Sequence, residues 1–204
     1  MIKHDYAIVS VDMHRGHLDP EVATLPLLPA ERCTRVIANT ARFFHEARKK
    51  GVPVISIITE FREPEETLSN PHWGAQHSKP NSPRKGTGNH NLVGEPTTEL
   101  IPELGAETDY IVDTKKRYSS FMHTELDFVL GQTGCKNVIL TGINTSSCVL
   151  NAAFDACNRD YKVYLVEDCC DSMDGPEFHD AAVMLVNRIL GTVVSSDEML
   201  DIIG

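Results

Sequence analysis

Three reactive side chains follow short apolar runs: Asp12, Lys115 and Cys148. A cysteine can attack a carbonyl carbon when a carboxylate takes its proton and a nearby ammonium lowers its pKa. The run 7–11 ends directly before Asp12, and the run 137–140 precedes Cys148. Because the carboxyl ends of parallel strands meet at one edge of a sheet, we expect the three side chains to converge there as a nucleophilic site.

Cys148 lies one turn into a predicted helix that begins beyond Gly142. The helix dipole and free N–H groups favour a thiolate at that place, and the same N–H groups can bind the oxyanion that forms on carbonyl attack. A buried structural cysteine is the alternative. The other cysteines are interpreted as structural and reduced: Cys33, Cys135, Cys157, Cys169 and Cys170. A redox pair at 169–170 is disfavoured because adjacent cysteines form a strained disulfide.

His14 and His17 closely follow Asp12 and leave several roles open. They could act as the base in a Cys–His pair, bind a metal together with Asp12, or brace the loop that carries Asp12. A metal would need further ligands, and the segment 60–96 contains three more histidines: His72, His77 and His90.

The apolar runs predict six strands that alternate with helices. The strands are expected at 7–11, 53–58, 109–112, 137–140, 162–166 and 192–194. The helices are expected at 30–50, 124–132, 146–159, 176–190 and 196–203. Strands that are apolar throughout and alternate with helices predict an α/β fold with a parallel sheet and right-handed crossovers.

Residues 60–96 interrupt this alternation. The segment contains five prolines and almost no apolar periodicity. A stretch of this length without secondary structure is usually a lid or an oligomer arm. We therefore expect a single domain over 1–204, with a long loop or lid at 60–96.

The composition argues against several classes of partner. Of 204 residues, 19 are Lys or Arg and 29 are Asp or Glu, which gives a net charge of −10. Nucleic acids and anionic membranes both require clustered cations, so neither is expected as a partner. The chain has no apolar run long enough to span a membrane and no signal-peptide layout at its start. We expect a cytoplasmic protein that acts on a small molecule.

Three segments together resemble the signatures of the isochorismatase-like cysteine hydrolases. They are Val-Asp-Met-His-Arg-Gly-His around Asp12, Lys-Lys-Arg-Tyr-Ser-Ser-Phe from Lys115, and Gly-Ile-Asn-Thr-Ser-Ser-Cys-Val around Cys148. Their order and strand-end placement match the family, and the resemblance covers about residues 5–200. It implies a three-layer α/β/α fold with a six-stranded parallel sheet, a homo-oligomer (dimer or tetramer), no cofactor, and a Cys-Asp-Lys catalytic triad.

The resemblance also implies a role for each residue. Cys148 attacks the substrate carbonyl, Asp12 takes and returns protons, and Lys115, rather than its neighbour Lys116, holds the cysteine as thiolate. A cis peptide precedes Asn144 in the family pattern. The amides of Asn144 and Cys148 then form the oxyanion hole.

Departures from the family pattern narrow the substrate. Nicotinamidases of the family carry metal-binding residues after strand two, where this chain has Glu60 and Arg62. Members that cleave a vinyl ether lack the cysteine, so Cys148 favours hydrolysis of the C–N bond of a small amide, carbamoyl or ureido compound. Hydrolysis of another small-molecule bond and a non-catalytic binding protein remain alternatives. Substrate contacts are expected from six residues: His14, His17, Glu60, Arg62, Arg117 and Thr145.

Overall fold

The computed structural model describes residues 4–204, which form a parallel sheet covered by helices on both faces. Its strands are β1 (Tyr6–Val11), β2 (Val54–Thr59), β3 (Tyr110–Lys115), β4 (Asn137–Ile143), β5 (Lys162–Asp171) and β6 (Thr192–Val194). The predicted three-layer α/β fold is confirmed. The strand order is β3-β2-β1-β4-β5-β6, so the chain winds outward in opposite directions from the β1/β4 boundary. Sheets of this kind bind ligands at that boundary.

Five of the eight helices lie close to predicted positions, whereas α1, α3 and α4 were not predicted. They are α1 (Arg15–Leu18), α2 (Ala30–Lys49), α3 (Pro64–Leu68), α4 (Pro71–Ser78), α5 (Leu126–Thr133), α6 (Leu150–Cys157), α7 (Pro176–Leu185) and α8 (Ser196–Ile202). The predicted helix at 146–159 starts with a wider, π-type turn over Thr145–Val149 before α6 begins. This wider turn carries Cys148. Among residues 4–204, no helix has both the length and the apolar character that crossing a bilayer requires.

Two apolar cores pack on opposite faces of the sheet, because successive strand residues point to opposite sides. Val9 and Val11 of β1 belong to the core shared with α5 and α6. Ile8 belongs to the other core, together with Phe43 of α2. Full burial of a side chain such as Phe43 contributes about 1.5–3 kcal/mol relative to exposure. The two cores therefore hold the strand ends in fixed positions.

Gly142 allows β4 to lie directly against β1 at the edge where the reactive residues emerge. Its φ is +119°, and a Cβ atom there would lie 2.0 Å from the carbonyl oxygen of Val11. Any larger residue would push the two strands apart just before Asp12. The glycine thus sets the spacing between the first and fourth strand ends.

The expectation that 60–96 lacks secondary structure is wrong. The segment contains α3, α4 and a 3₁₀ turn at Lys85–Asn89. Each helix has a proline at its start, which suits the first helical turn, and the Asn70 side chain caps α4 by accepting from the N–H groups of His72 and Trp73. The helices escape detection because they are short, and α4 buries no complete residue.

Candidate active site

Four polar side chains meet at the carboxyl edge of four neighbouring strands. Asp12 follows β1, Thr59 ends β2, Lys115 ends β3, and Cys148 lies in the turn after β4. Thr59 and Lys115 are paired in the register of β2 and β3. The strand order therefore brings together residues that are far apart in the chain.

Lys115 connects the other two members of the predicted triad. Its Nζ donates a hydrogen bond to Asp12 Oδ2 at 2.6 Å and another to Cys148 Sγ at 3.3 Å. All three residues are buried. The neighbouring Lys116 is half-buried and donates to the carbonyl oxygen of Glu60 instead. Of the two lysines, Lys115 is thus the one that reaches Asp12 and Cys148.

Thr59 is a site residue to which the sequence analysis assigned no role. Its backbone N–H and its hydroxyl both donate to Asp12 Oδ1, at 3.0 and 2.8 Å. Lys115 also donates to the Thr59 hydroxyl. Both carboxylate oxygens of Asp12 therefore have donors. The sequence signal that could have identified Thr59 is its position at the end of β2, the strand next to β1.

Asp12 and Lys115 form a buried charged pair. Burial alone would raise the pKa of Asp12, but the charge and hydrogen bond of Lys115, together with smaller contributions from His14 and His17, hold that pKa well below its usual range. Burial likewise opposes the charge on Lys115, yet the neighbouring Asp12 and Cys148 raise its pKa above the ordinary value. The two groups thus remain a carboxylate and an ammonium at neutral pH, and each compensates the desolvation of the other.

The surroundings of Cys148 shift its pKa in favour of the neutral thiol. Burial raises the pKa of the Cys148 thiol to about 12, although Lys115 opposes the rise, and the Asp12 carboxylate adds to it. The expectation that Lys115 holds a thiolate stays a prediction: Lys115 lowers the pKa of the thiol, as expected, but the net shift is upward. The physical reason is that Asp12 already balances the charge of Lys115, which leaves little positive field to offset the desolvation of sulfur. The Asp12 carboxylate, which interacts with the thiol, is placed to take its proton.

A cavity of about 70 Å³ opens over these side chains. Apolar and aromatic residues form much of its wall: Leu25, Phe61, Trp73, Tyr118 and Met173. Polar residues complete it: Asp12, His17, Thr59, Thr67, Arg84, Thr87, His90, Lys115, Arg117, Asn144, Ser147 and Cys148. A space of this size fits a small polar group over the thiol.

Comparison with known proteins decides the family. The family sequence model of the isochorismatase domain matches residues 6–198 of this chain. The chain belongs to the isochorismatase family. It is a hydrolase of that family, and its buried Asp12–Lys115–Cys148 network fits the family's catalytic triad.

Relatives of the isochorismatase family agree in sequence and in fold. A ureidoacrylate amidohydrolase of Pseudomonas syringae is 29% identical over 205 residues, which cover 94% of this chain and 81% of that protein. A crystal structure of an isochorismatase-like hydrolase from Alkaliphilus metalliredigens is 25% identical, with a TM-score of 0.75, over 98% of this chain and 99% of that one. The N-carbamoylsarcosine amidase of Thermoplasma acidophilum shares the fold, with a TM-score of 0.71 and 24% identity over 95% and 98% of the two chains.

The turn after β4 has the backbone that the isochorismatase family implies. The peptide bond between Ile143 and Asn144 is cis, as expected. The side-chain oxygen of Asn144 accepts a hydrogen bond from the N–H of Met173 at 2.9 Å. The main-chain carbonyl oxygen of Asn144 accepts from the N–H of Val149 at 3.1 Å. Asn144 and Cys148 both line the cavity. Their amides therefore lie where an oxyanion hole is predicted.

The structure brings only part of the predicted substrate-contact set to the cavity. His17 and Arg117 line it, whereas His14 is buried behind His17, with ring centres 4.4 Å apart. Arg62 does not line the cavity, because its guanidinium is 80% exposed and paired with Glu66.

Two more predicted contacts lie elsewhere. Glu60, which follows β2, does not line the cavity. Burial, and then the charge of Asp113, raise the pKa of its side chain. Thr145 points away towards α7, where its hydroxyl contacts His179 Nδ1 at 2.9 Å. Two further cavity residues come from 60–96: Arg84, which had no predicted role, and His90, which was considered only as a metal ligand.

The alternative metal and redox sites are not formed in the part of the chain that the structure describes. No group of three or more His, Cys, Asp or Glu side chains within residues 4–204 is arranged to hold a metal. Cys169 and Cys170 are free thiols that belong to opposite cores, because neighbouring strand residues face opposite sides of the sheet.

Proposed function

We propose that this protein hydrolyses a C–N bond of a small amide, carbamoyl or ureido compound through a thioester on Cys148. One observation carries the proposal: a thiol, a carboxylate and an ammonium are in direct contact beneath a small cavity. Amide hydrolysis needs a nucleophile, a proton donor for the leaving nitrogen and donors for the developing oxyanion. These residues and the adjacent backbone supply all three.

The first half-reaction begins when a substrate carbonyl enters over Cys148. The thiol proton passes to Asp12 as sulfur bonds to the carbonyl carbon, and the amides of Asn144 and Cys148 receive the negative oxygen. Collapse of the tetrahedral intermediate breaks the C–N bond. Asp12 then gives its proton to the departing nitrogen, which leaves as ammonia or an amine, with a thioester on Cys148.

Water completes the cycle. Asp12 takes a proton from a water molecule as its oxygen attacks the thioester carbon. The C–S bond breaks, the acid product leaves, and the Cys148 sulfur recovers its proton from Asp12. Lys115 stays charged throughout and orders the Asp12 carboxylate, so the site starts and ends in the same protonation state.

The cavity supports a substrate that carries a carboxylate next to a small amide or ureide. One nitrogen of the Arg84 guanidinium donates a hydrogen bond to Asp174 at 2.6 Å. The other N–H groups of Arg84 can form a bidentate pair with a substrate carboxylate. Arg117 stacks on the Trp73 ring, with its guanidinium carbon 5.1 Å from the ring centre. The ureidoacrylate amidohydrolases among the relatives are named for a substrate that combines a carboxylate with a ureido group.

Ammonia release tests the proposal. A panel of carbamoyl, ureido and carboxamide compounds, each with and without a carboxylate, is incubated with the wild-type protein and with Cys148→Ala. Turnover of a carboxylate-bearing member that is lost in the variant supports the assignment. Turnover that survives Cys148→Ala overturns the assignment of Cys148 as nucleophile. If no compound of the panel releases ammonia, hydrolysis of another bond type or a binding role is favoured.

A further inference from the structure

Three buried histidines pack beside Asp12, and the proposed mechanism does not use them. His14, His17 and His90 are each less than one-tenth exposed. The rings of His14 and His17 are stacked, and those of His17 and His90 are 5.0 Å apart. Histidines in such surroundings either transfer protons, bind substrate or hold another group in position.

Hydrogen bonds determine the tautomer of each ring along a chain from Thr24 to Asp12. His17 Nδ1 lies 3.1 Å from the carbonyl oxygen of Asp12, which can only accept, so Nδ1 carries the proton. The neutral ring then has a lone pair on Nε2, which lies 3.1 Å from His90 Nε2. His90 must therefore donate from Nε2 and accept at Nδ1 from the Thr24 hydroxyl, 3.2 Å away.

Both rings are kept neutral by their surroundings. Burial lowers the pKa of His17 and of His90, and for His90 the neighbouring His17 and His14 lower it further. The charged groups that face the pair are Asp12, which favours protonation, and the cations Lys115 and Arg84, which oppose it. With one proton on each ring, every nitrogen of the pair has a partner.

The chain is not a proton relay to the carboxylate of Asp12. It ends on the main-chain carbonyl oxygen, which accepts no proton in the reaction. His14 Nε2 lies 3.9 Å from Asp12 Oδ1, beyond hydrogen-bond range. Substrate binding through the ring nitrogens of His17 or His90 is also disfavoured, since all four already have partners.

The Asp12 backbone is the feature that such a chain would hold. Its φ is +54°, in the left-handed region that non-glycine residues seldom adopt. Its N–H donates to the Ile57 carbonyl at 3.0 Å, which leaves the carbonyl side to be held by His17. A rotation of this peptide would swing the carboxylate away from Thr59 and Lys115.

We propose that His17 and His90 are positioning residues: as neutral imidazoles of opposite tautomer, they fix the carbonyl of Asp12 and thereby its left-handed backbone and its carboxylate. The proposal rests on the proposed function only for its effect on catalysis. The position of Asp12 itself can be measured without any substrate.

NMR of the full chain tests the positioning directly. In ¹⁵N spectra of the imidazoles at pH 7, we expect His17 as the Nδ1–H tautomer and His90 as the Nε2–H tautomer. The ¹³C shifts of Asp12 Cα and carbonyl should move in His90→Leu and return in His90→Gln, because the glutamine amide can stand where Nε2–H stands. His72→Leu, at an exposed histidine of the same segment, should leave them unchanged. Reversed tautomers, a charged ring, or Asp12 shifts that ignore His90→Leu would overturn the proposal.

Kinetics on whichever compound releases ammonia separate positioning from mere stability. We expect kcat to fall about tenfold or more in His90→Leu with KM within about twofold, and to recover in His90→Gln. If His90→Leu does not fold, the wild-type tautomers and the Gln variant still decide. Expected NMR results without turnover of any compound would remove the proposed function and leave the positioning intact. A normal kcat in folded His90→Leu would contradict the positioning role of His90.

Discussion

Lys115 places its ammonium 2.6 Å from Asp12 Oδ2, with both side chains buried. Each charge is therefore stabilised mainly by the other, because neither has bulk water to solvate it. Since the same ammonium contacts Cys148 Sγ, the ion pair, the nucleophile and the proton acceptor form one unit. A change at either end of the pair should affect both stability and catalysis.

Removal of the ammonium should be costly. Lys115→Met leaves the Asp12 carboxylate buried without its cation, so we expect the free energy of unfolding to fall by about 3–5 kcal/mol. Activity should fall by about 10² or more, since Asp12 loses its orientation. Urea unfolding and ammonia release measure the two effects. Lys116→Met, at the neighbouring half-buried lysine, should cost less than about 1.5 kcal/mol; equal costs would show that the pair is unimportant.

The Thr59 hydroxyl should matter more than another buried threonine hydroxyl at the same sheet edge. Thr59→Val removes one donor to Asp12 but keeps the backbone N–H, so we expect a loss of about 1–2 kcal/mol and about a tenfold fall in kcat. Thr141→Val is the matched control, because the Thr141 hydroxyl is buried and has no hydrogen-bond partner among residues 4–204. It should be neutral or stabilising. A larger effect at Thr141 than at Thr59 would refute the role of Thr59.

Cys148 should react slowly with iodoacetamide in the absence of substrate. Its pKa is raised to about 12, so the thiolate fraction grows tenfold per pH unit up to that value. We expect the alkylation rate at Cys148, obtained by subtracting that of Cys148→Ala, to rise about tenfold per unit between pH 7 and 9. A plateau below pH 8 would instead indicate a resting thiolate.

Acid should destabilise the protein through its buried histidines. Burial lowers the pKa values of His14, His17 and His90, so these rings stay neutral in the folded state while the unfolded state takes up protons near pH 6.5. Stability is therefore full above pH 6.5 and is lost as the pH falls. In urea unfolding, we expect the free energy of unfolding to fall as the pH drops below 6.5, with a contribution from each ring. His14→Gln should reduce this loss by one ring's share, and exposed His72→Gln should leave it unchanged; a flat profile would show that the rings charge freely when folded.

The carboxylate of the substrate should bind to Arg84 rather than to Arg62. Arg84→Ala should raise KM about tenfold or more with little change in kcat for a carboxylate-bearing substrate, and should not affect an analogue without the carboxylate. Arg62→Ala is the control, because Arg62 is exposed and pairs with Glu66. If Arg62→Ala raises KM and Arg84→Ala does not, the orientation of the substrate in the cavity is wrong.

The sheet and the triad were predictable because their signals are local. Val11 and Asp12 stand at the end of an apolar run, and the parallel-sheet rule then places Lys115 and Cys148 at the same edge. The protonation state of Cys148 was not predictable. It depends on how deeply the thiol is buried and on whether the charge of Lys115 is already balanced, which only the assembled structure shows.

The cavity wall could not be predicted for a different reason. Arg84 and His90 belong to a segment without apolar periodicity, and their positions follow from loop contacts with distant residues such as Thr24 and Asp174. Arg62 follows β2 directly, yet its pairing with Glu66 turns it to solvent. Strand-end position thus indicated the reacting groups but not the residues that surround the substrate.

The most direct test of the account is a search for the covalent intermediate. Protein turning over a compound that releases ammonia is quenched in acid within milliseconds, and its intact mass and peptides are measured. We expect a mass increase equal to the acyl or carbamoyl part of the substrate, located on Cys148 and absent from Cys148→Ala. Steady ammonia release without any adduct on Cys148, or an adduct on another residue, would contradict the thioester mechanism.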